Sequence, residues 1–582
     1  MTDWIQLKET KLKTGATLED YRDFVERCVY YVDKTWFIRE FLRDANQVVM
    51  YTRPRRFGKT LMLSTVRAFV EKEYDRDGNL IDKRPFFEGR KILDAEPEIL
   101  EQMGKYPVIS LSLKDCDQTS FDLFSRRFKR IMADAAKKHC YLKKSKYLEK
   151  KELAIFQKLI DEELDVFVTA DVFSSLINWI YRDTGVKPII LIDEYDTPLQ
   201  WAHEYGYYDE VLLIMRSMLG AAFKTNGNFT KALLTGCLRI SKESIFTDFN
   251  NPVVHSILHE ESNEYFGFSH DEVREMLHYY ELDDEYPEIE RWYDGYLFGK
   301  NSVFNPYCLV LCIQAILVSK CDLQMGKTES SIGPYRCYWS NSSGNAIVNE
   351  LIRKHPEYRS DVEALLAGKT IEKPIYEFIT YRDLVHLPDV IWTFLLYAGY
   401  LKSIRIYKDA DEKIFAELKI VNREVWAIFP EFISRFLNEN IRSNDLPAFY
   451  QDLWDCKPDK VRAYLNNLLV STISYYDEKE SFYHGIMTGI LSCIIDVEIK
   501  SNRESGNGRP DIVLRDMQNS RAIVFEFKYS DSFAQIKRDV ELAMQQIHDK
   551  HYVEELLAEG YETVLQVGIA FFAKVCAVRI EK

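Results

Sequence analysis

Short runs of consecutive apolar residues in the first half of the chain predict strands that are buried on both faces. The runs cover residues 47–52, 187–193 and 230–236, and each one ends in polar residues. Continuous apolar runs of this length are typical of a parallel sheet covered by helices. The spacing of apolar residues from Leu61 to Val70 predicts a helix directly after the first run. Residues 1 to about 265 are therefore predicted to form an α/β domain with a parallel sheet.

The C-terminal part of the chain shows a different order of elements. Its apolar patterns predict a helix over 482–494, strands near 495–500, 511–515 and 522–528, a long helix over 531–556 and a strand over 563–572. Gly506 and Gly508 mark a turn before the second of these strands. The order α-β-β-β-α-β predicts a second, smaller α/β domain.

The length of 582 residues exceeds what one hydrophobic core supports, so we expect several domains. The patterns divide the chain into an α/β domain (1–265), a mostly helical lid (266–345), a helical connecting region with a winged fold as an alternative (346–445), and the C-terminal α/β domain (446–582). Ser269 and Glu272 stand three residues apart and predict a capping box at the start of a lid helix.

Composition narrows the class of protein. The net charge of −15 argues against broad, nonspecific coating of nucleic acid, although it leaves room for a local basic groove. Eleven cysteines without CxxC pairs fit a reducing cytoplasm. The N-terminus does not resemble a signal peptide. We expect no apolar run to approach the roughly 20 residues that a membrane-spanning helix needs. The expected location is therefore cytoplasmic, with no membrane partner.

A basic turn follows the first predicted strand. It runs from Arg53 to Thr60 and ends in Gly58-Lys59-Thr60. In a strand–turn–helix of this kind, backbone N–H groups face phosphates, the lysine reaches the β- and γ-phosphates, and the hydroxyl binds Mg²⁺. Arg53 stands where the usual pattern has its first glycine. The alternative is a chance Gly-Lys-Thr sequence between a strand and a helix.

The ends of the other two strands supply partners for that turn. Asp193 would hold Mg²⁺ through water, and the adjacent Glu194 would polarise the attacking water. Thr235 is placed like a polar residue that senses the nucleotide, and Arg239 is either a γ-phosphate contact or a surface arginine. We predict an ATP and Mg²⁺ site with Thr60 and Asp193 at the metal. Its binding residues are Arg56, Phe57, Gly58, Lys59, Thr60, Leu61, Asp193 and Thr235.

A second constellation of charges lies on the predicted C-terminal hairpin. Asp511 opens one strand, and Glu526 and Lys528 are on the same face of the next, because side chains at i and i+2 point the same way. Two acids suit Mg²⁺, with Mn²⁺ as a substitute, and the lysine would orient an attacking water or stabilise developing charge. We predict Asp511 and Glu526 as metal ligands. The alternative is an exposed cross-strand ion pair.

These motifs together resemble a bacterial family of AAA-ATPase-like proteins that carry a C-terminal PD-(D/E)XK nuclease domain. The matching segments are 30–35, 52–61, 191–198, 234–236, 292–296, 304–307, 482–485, 501–506, 508–512 and 526–528. An arginine at the first position of the phosphate-binding turn is what this family shows. The resemblance implies an N-terminal P-loop NTPase sheet, a helical lid and linker, and a C-terminal nuclease-like domain.

The resemblance also bears on catalysis at the C-terminal site. It places Gln546 on the helix after the core strands, where Gln546 would position Lys528 or a phosphate. A further acid often comes from the first helix in this superfamily, and Glu478, Glu480 and Glu504 are the weak candidates here. His484 is interpreted as a helix-face residue, with a general base as the alternative.

The expected function is an ATP-regulated, metal-dependent nuclease acting on nucleic acid, with DNA as the favoured substrate. Catalysis is assigned to Asp511, Glu526, Lys528 and Gln546 at one site and Glu194 at the other. The alternative is a signalling-type ATPase switch or scaffold whose nuclease-like domain binds nucleic acid or a partner without cleavage. A metabolic kinase is disfavoured because it would not need the C-terminal charges. Homo-oligomer formation stays open, since AAA-like ATPases often form rings.

Overall fold

The computed structural model describes residues 11–224, 226–238, 252–326, 333–339, 359–366, 368–377, 379–383, 389–427, 446–472, 480–491, 497–501, 510–572 and 575–582. The chain divides into two compact units. The first unit comprises Met1–Asn341 with Glu372–Glu424, and the second comprises Ser342–Ile371 with Val425–Lys582.

The helices are α1 (Tyr21–Glu26), α2 (Trp36–Arg43), α3 (Lys59–Val70), α4 (Pro97–Leu100), α5 (Phe121–Lys137), α6 (Lys150–Ile160), α7 (Val166–Thr184), α8 (Thr197–Tyr205), α9 (Tyr208–Phe223), α10 (His270–Tyr279), α11 (Tyr286–Tyr293), α12 (Pro306–Gln324), α13 (Arg359–Leu366), α14 (Val390–Ala398), α15 (Arg423–Trp426), α16 (Leu446–Trp454), α17 (Pro458–Thr472), α18 (Glu480–Leu491), α19 (Ile536–Asp549) and α20 (Tyr552–Ala558). The strands are β1 (Val48–Thr52), β2 (Val108–Ser112), β3 (Ile189–Asp193), β4 (Lys231–Gly236), β5 (Val253–His255), β6 (Tyr296–Phe298), β7 (Asn301–Val303), β8 (Ile371–Pro374), β9 (Leu401–Lys408), β10 (Ile414–Ile420), β11 (Glu498–Ser501), β12 (Ile512–Asp516), β13 (Arg521–Tyr529), β14 (Thr563–Phe572) and β15 (Val575–Glu581).

The first unit is built on a parallel sheet with the strand order β2-β3-β4-β1-β5. All residues of β1, β3 and β4 are buried, as their continuous apolar runs predicted. Tyr51 pairs with Thr235, and Ile192 pairs with Leu234, so the three strands end at the same edge. The predicted α/β class with a parallel N-terminal sheet is confirmed.

A helical excursion separates β2 from β3. It consists of α5, a 3-10 turn (Cys140–Lys144), α6 and α7. Ser120 and Asp165 cap α5 and α7 by accepting backbone N–H groups, and Gly185 ends α7 with a φ of 68°.

The lid region after β5 contains α10, α11, α12 and the β6–β7 hairpin. The predicted capping box is present: the Ser269 hydroxyl accepts the Glu272 N–H, and the Glu272 carboxylate accepts the Ser269 N–H. We expected no apolar run to approach the length of a membrane span, and α12 shows that this was wrong. By length and composition alone, its 19 residues could cross a membrane. Cys308, Leu309 and Ile313 of α12 are nevertheless fully buried within the unit, which is typical of a core helix.

The connecting region 346–445, predicted to be helical with a winged fold as the alternative, contains strands as well as helices. Strands β8, β10 and β9 form a sheet in that order, in which β9 and β10 are antiparallel, and α14 precedes β9. Gly399 ends α14 with a φ of 87°, and a side chain there would lie 3.0 Å from the Pro54 ring. This close approach brings the end of α14 against the phosphate-binding turn of the same unit.

The second unit contains the sheet β11-β12-β13-β14-β15, in which only the β13–β14 pair is parallel. Apolar residues on one face pack with α16, α17 and α18, while the other face packs with α19 and α20. The predicted order is confirmed for this domain, with two corrections. The long helix expected over 531–556 is two helices, because His551 has a φ of 56° and breaks it. Strand β15 was not predicted.

Candidate functional site

The turn between β1 and α3 has the backbone shape of an anion cradle. Gly58 precedes α3 with a φ of 78°, and Arg56 has a φ of 71°. Left-handed backbone at these two positions lets the chain turn sharply into α3. The first N–H groups of α3, as in any α-helix, have no helical partners. Phe57 is buried against Tyr296 and Phe298 and anchors the turn to the β6–β7 hairpin.

Lys59 lies inside this turn. Its Nζ donates hydrogen bonds to the carbonyl oxygens of Arg53 and Pro54, each at 3.1 Å. The same atom is 3.6 Å from Cys237 Sγ and 4.0 Å from a Glu194 carboxylate oxygen. The ammonium group is therefore held between the turn and the ends of β3 and β4.

Asp193 connects Thr60, the other residue predicted at the metal, with Thr235, which was predicted to bind nucleotide. Thr60 Oγ1 donates to one of its carboxylate oxygens at 2.6 Å, and Thr235 Oγ1 donates to the other at 2.5 Å. Burial, together with the charge of Glu194, raises the pKa of Asp193. Hydroxyl and carboxylate oxygens of this kind are the donors that Mg²⁺ prefers, so Thr60 and Asp193 fit the expected cation.

Glu194 follows β3 directly and lies near the Lys59 ammonium group. Its φ of 53° is rare for a residue with a side chain and marks local backbone strain. Thr197 Oγ1 donates to its carboxylate at 2.9 Å. Burial opposes its charged form, but Lys59 and Arg55 outweigh that effect and lower its pKa, so the carboxylate is ionised.

Two other residues predicted for binding, Arg56 and Leu61, have different surroundings from Lys59. Arg56 is exposed and stacks on the Tyr307 ring, with its guanidinium carbon 4.2 Å from the ring centroid. Leu61 is the third residue of α3 and is partly buried. Arg239 lies outside the described residues.

Arg53 has a different place from the one its sequence position suggested. It was grouped with the basic residues of the turn, but its side chain is fully buried and points away from the cradle. It donates to the carbonyl oxygens of Thr52 and His255 and to Asn263 Oδ1, at 2.8, 2.6 and 2.9 Å. It also lies over the rings of Phe266 and Phe298. Burial lowers its pKa to about 9.

Asp196 is a site residue that the sequence analysis missed. Its Oδ2 accepts the backbone N–H groups of Cys237 and Leu238 at 2.8 and 2.9 Å, and so fixes the chain just beyond β4. A Cβ at Gly236 would lie 2.6 Å from Asp196 Oδ1 and 2.6 Å from the Tyr195 ring. Burial, with the charge of Glu194, raises the pKa of Asp196 to about 6. Its only sequence signal was its place two residues after the acidic pair.

The C-terminal charges meet at the end of the β12–β13 hairpin, as predicted. Glu526 and Lys528 are neighbours, with Nζ 3.3 Å from Glu526 Oε1. Asp511 immediately precedes β12, and its Oδ2 accepts the Phe527 N–H at 2.7 Å. That bond aligns the Asp511 carboxylate beside the strand segment that carries Glu526 and Lys528.

Glu526 is the residue most strongly perturbed at this site. It is 2% exposed, and its Oε2 is buried without a hydrogen-bond partner among the described residues. Burial, reinforced by the charge of Asp511, raises its pKa to about 7, and the pKa of Asp511 is raised as well. Two adjacent carboxyls with an unsatisfied oxygen fit Mg²⁺, which binds proteins through one or two carboxylates and keeps several waters.

Other residues named for this site have varied positions. His484 Nε2 lies 2.9 Å from the Asp511 carbonyl oxygen, which supports a positioning role. Gln546 is partly buried on α19, and its side chain makes no hydrogen bond to any residue in the described ranges. In that same part of the chain, no three His, Cys, Asp or Glu side chains gather as a metal cluster. Glu478 and Glu504 lie outside the described residues, as does the side chain of Glu480.

Comparisons with known proteins match the two parts of the chain that contain these residues. Residues 15–246 match the predicted AAA-ATPase family, and residues 478–581 match the PD-(D/E)XK nuclease superfamily. The chain therefore combines an AAA-ATPase-like domain with a PD-(D/E)XK nuclease superfamily domain. It is also 22% identical over 595 residues to an uncharacterized protein in the vnfD 5′ region of Azotobacter chroococcum mcd 1, covering 96% of this chain and 95% of that protein.

Proposed function

We propose that this protein is an ATP-binding, metal-dependent nuclease that acts on DNA, with ATP hydrolysis at the N-terminal site regulating phosphodiester cleavage at the C-terminal site. The observation that carries the proposal is the buried Oε2 of Glu526, which has no hydrogen-bond partner among the described residues and lies beside Asp511 and Lys528. A structural ion pair would not need a second, partly buried carboxyl whose charge raises the pKa of the first.

The residues divide the chemistry of cleavage between them. A divalent cation, when bound, would supply an activated water at the scissile phosphate. Asp511 and Glu526 would hold that cation, and the Phe527 N–H fixes the direction of Asp511. Lys528 would stabilise the negative charge that develops on the phosphate, because its ammonium lies beside Glu526 at the same strand end.

The N-terminal residues support ATP as the regulator. Lys59 would exchange the carbonyls of the turn for phosphate oxygens, and Thr60 with Asp193 would hold Mg²⁺. The ionised Glu194 would orient the attacking water. Thr235 connects Asp193 to the end of β4, so a change at the γ-phosphate would be transmitted to that strand.

A cleavage assay tests this proposal. Plasmid, linear, single-stranded and branched DNA are incubated with Mg²⁺ or Mn²⁺, with and without ATP, using wild type and Glu526→Gln. We expect cleavage by wild type alone, and a change in its rate with ATP that Lys59→Ala removes. Glu562→Gln, an exposed glutamate of the same domain, is the matched control. Cleavage by Glu526→Gln at the wild-type rate would contradict the assignment.

A second candidate function is a nucleotide-dependent switch or scaffold whose C-terminal domain binds without cutting. It is favoured by the fact that only two acids meet at the hairpin within the described residues, and by the net charge of −15. Absence of cleavage on every substrate, with ATP binding intact and a nucleotide-dependent change in oligomeric state by light scattering, would select it.

A further inference from the structure

A concentrated positive surface lies on the helical excursion of the first unit, and neither site described above uses it. Five lysines occur within nine residues: Lys143, Lys144, Lys146, Lys150 and Lys151. We refer to these five residues as the lysine surface. The one acid in this stretch, Glu149, has its side chain committed to the capping box at the start of α6. The chain as a whole carries a net charge of −15, so this local excess of positive charge runs against its composition.

The charges of the lysine surface are not used in internal ion pairs. All five side chains are on exposed residues. Across the part of the chain that the structure describes, no carboxylate oxygen lies within 4.0 Å of any of their amino groups. By contrast, Lys137 at the end of α5 is paired with Asp134 at 2.9 Å. The five free ammonium groups are therefore available to an external anion.

The placement of two of these lysines is unfavourable for the helix itself. Lys150 and Lys151 are the first residues of α6, where the helix dipole favours negative charge. Cations in the first turn reduce helix stability unless an anion approaches them. Glu149 and Glu152 lie in the same turn, where both carboxylates accept backbone N–H groups, and the two lysines add positive charge that a negatively charged ligand would offset.

The backbone that carries the lysines is held in one arrangement. Arg182 of α7 donates to the Tyr147 carbonyl and, at 2.6 Å, to a Glu152 carboxylate oxygen that also accepts the Trp179 indole N–H at 3.1 Å. Leu142 and Leu148 are buried beneath the segment. Because the segment is already ordered, binding a ligand there costs little conformational entropy.

Two partly exposed tyrosines stand among the lysines, and the Tyr141 hydroxyl lies 3.1 Å from His139 Nδ1. Tyr141 is 42% exposed and Tyr147 is 64% exposed. Basic side chains interleaved with exposed aromatic rings are the combination that binds single-stranded nucleic acid, since the ammonium groups track phosphates and the rings stack on bases. An acidic protein partner would use the charges but would not require the rings.

We propose that the lysine surface, with Tyr141 and Tyr147, is a nucleic-acid-binding surface of the ATPase-like unit, and that it prefers single-stranded segments. This goes beyond the proposed function, because it places a contact with nucleic acid outside the nuclease-like domain and does not require cleavage. The two proposals can fail separately, since the tests below measure binding without a divalent cation.

The first test compares affinities in the full chain. Fluorescence anisotropy measures binding of labelled single-stranded and duplex DNA of the same length, in the presence of a chelator, over a range of salt concentrations. Lys143→Glu/Lys144→Glu/Lys146→Glu removes charge from the surface. Lys91→Glu/Lys300→Glu/Lys413→Glu makes the same charge change at exposed lysines elsewhere in the first unit and is the matched control.

We expect the first triple variant to lose affinity on the order of tenfold or more, and its salt dependence to fall by about three phosphate contacts, relative to the control. Tyr147→Ala is expected to weaken single-stranded binding between about 5-fold and 100-fold, with a smaller effect on duplex. Equal affinities of the two triple variants would overturn the proposal. Loss of binding to anionic lipid vesicles, with DNA binding unchanged, would also overturn it and assign the surface to membranes.

The second test does not depend on how much affinity other parts of the chain contribute. Ultraviolet crosslinking of the wild-type protein to single-stranded DNA, followed by mass spectrometry, identifies the peptides in contact. Crosslinks in the peptide that contains Tyr141 and Tyr147 support the proposal. Crosslinks confined to the C-terminal domain would contradict it, whatever the anisotropy shows.

Discussion

Replacing Glu526 by glutamine tests whether burial holds this carboxyl away from its charged form. Glutamine keeps the shape of the side chain but carries no charge. The folded-state pKa of Glu526 is raised from 4.5 to about 7, so the folded protein binds its proton more tightly than the unfolded chain does. The stabilisation from that proton is complete below about pH 4.5 and is lost as the pH rises through 7.

The magnitude follows from the size of the shift. The difference between 4.5 and about 7 corresponds to about 3 kcal/mol of stability, shared with Asp511, whose pKa is raised at the same site. Exposure of only 2% leaves little room for solvent screening. Without a divalent cation, wild type should therefore lose up to about 3 kcal/mol of local stability between about pH 5 and about pH 8. Glu526→Gln should lose much less.

Hydrogen exchange read by mass spectrometry measures this locally, because the chain has more than one domain and a single unfolding free energy is not defined for it. Peptides covering β12 and β13 are compared at both pH values after correction for intrinsic exchange rates. Adding Mg²⁺ at the higher pH should restore protection in wild type and leave Glu526→Gln unchanged. Glu562→Gln should behave as wild type. Identical pH profiles for wild type and Glu526→Gln would refute the reasoning.

The N-terminal site gives three further predictions. Lys59→Ala should weaken binding of a fluorescent ATP analogue by about tenfold to 100-fold, because a buried charged contact is lost; unchanged affinity would contradict the site. Gly236→Ala should lower the ATPase kcat and destabilise the protein by about 1–3 kcal/mol, since its methyl group would collide with Asp196, whereas Gly227→Ala, which meets nothing within 4 Å, should do neither. Arg53→Met should lower the melting temperature by leaving buried acceptors unpaired, at a cost of about 1–3 kcal/mol for each, and an unaltered melting curve would show that those bonds contribute nothing.

The strands were predictable because burial on both faces leaves a continuous apolar run, as in Ile189–Asp193. The matching ends of β1, β3 and β4 then brought Thr60, Asp193 and Thr235 together, as parallel pairing requires. The hairpin likewise placed Glu526 beside Lys528, since alternation along a strand fixes which side chains are neighbours.

Other features carried no local signal. The break after α19 depends on the left-handed backbone of His551, a residue that does not mark a helix end in the way glycine does. The burial of Arg53 depends on Asn263 and His255, which lie more than 200 positions away in sequence. The role of Asp196 depends on backbone N–H groups beyond β4, and backbone groups leave no mark in a residue pattern.

The buried side chain of Arg53 connects the phosphate-binding turn mechanically to the chain that follows β5. The Arg53 guanidinium donates hydrogen bonds to the His255 carbonyl and to Asn263, and it lies against the Phe266 ring. A displacement of the turn must therefore pull on the chain after β5. Coupling of this kind is reciprocal. A molecule that binds and strains the segment around Asn263 would change the affinity for nucleotide by the same factor by which nucleotide changes the affinity for that molecule.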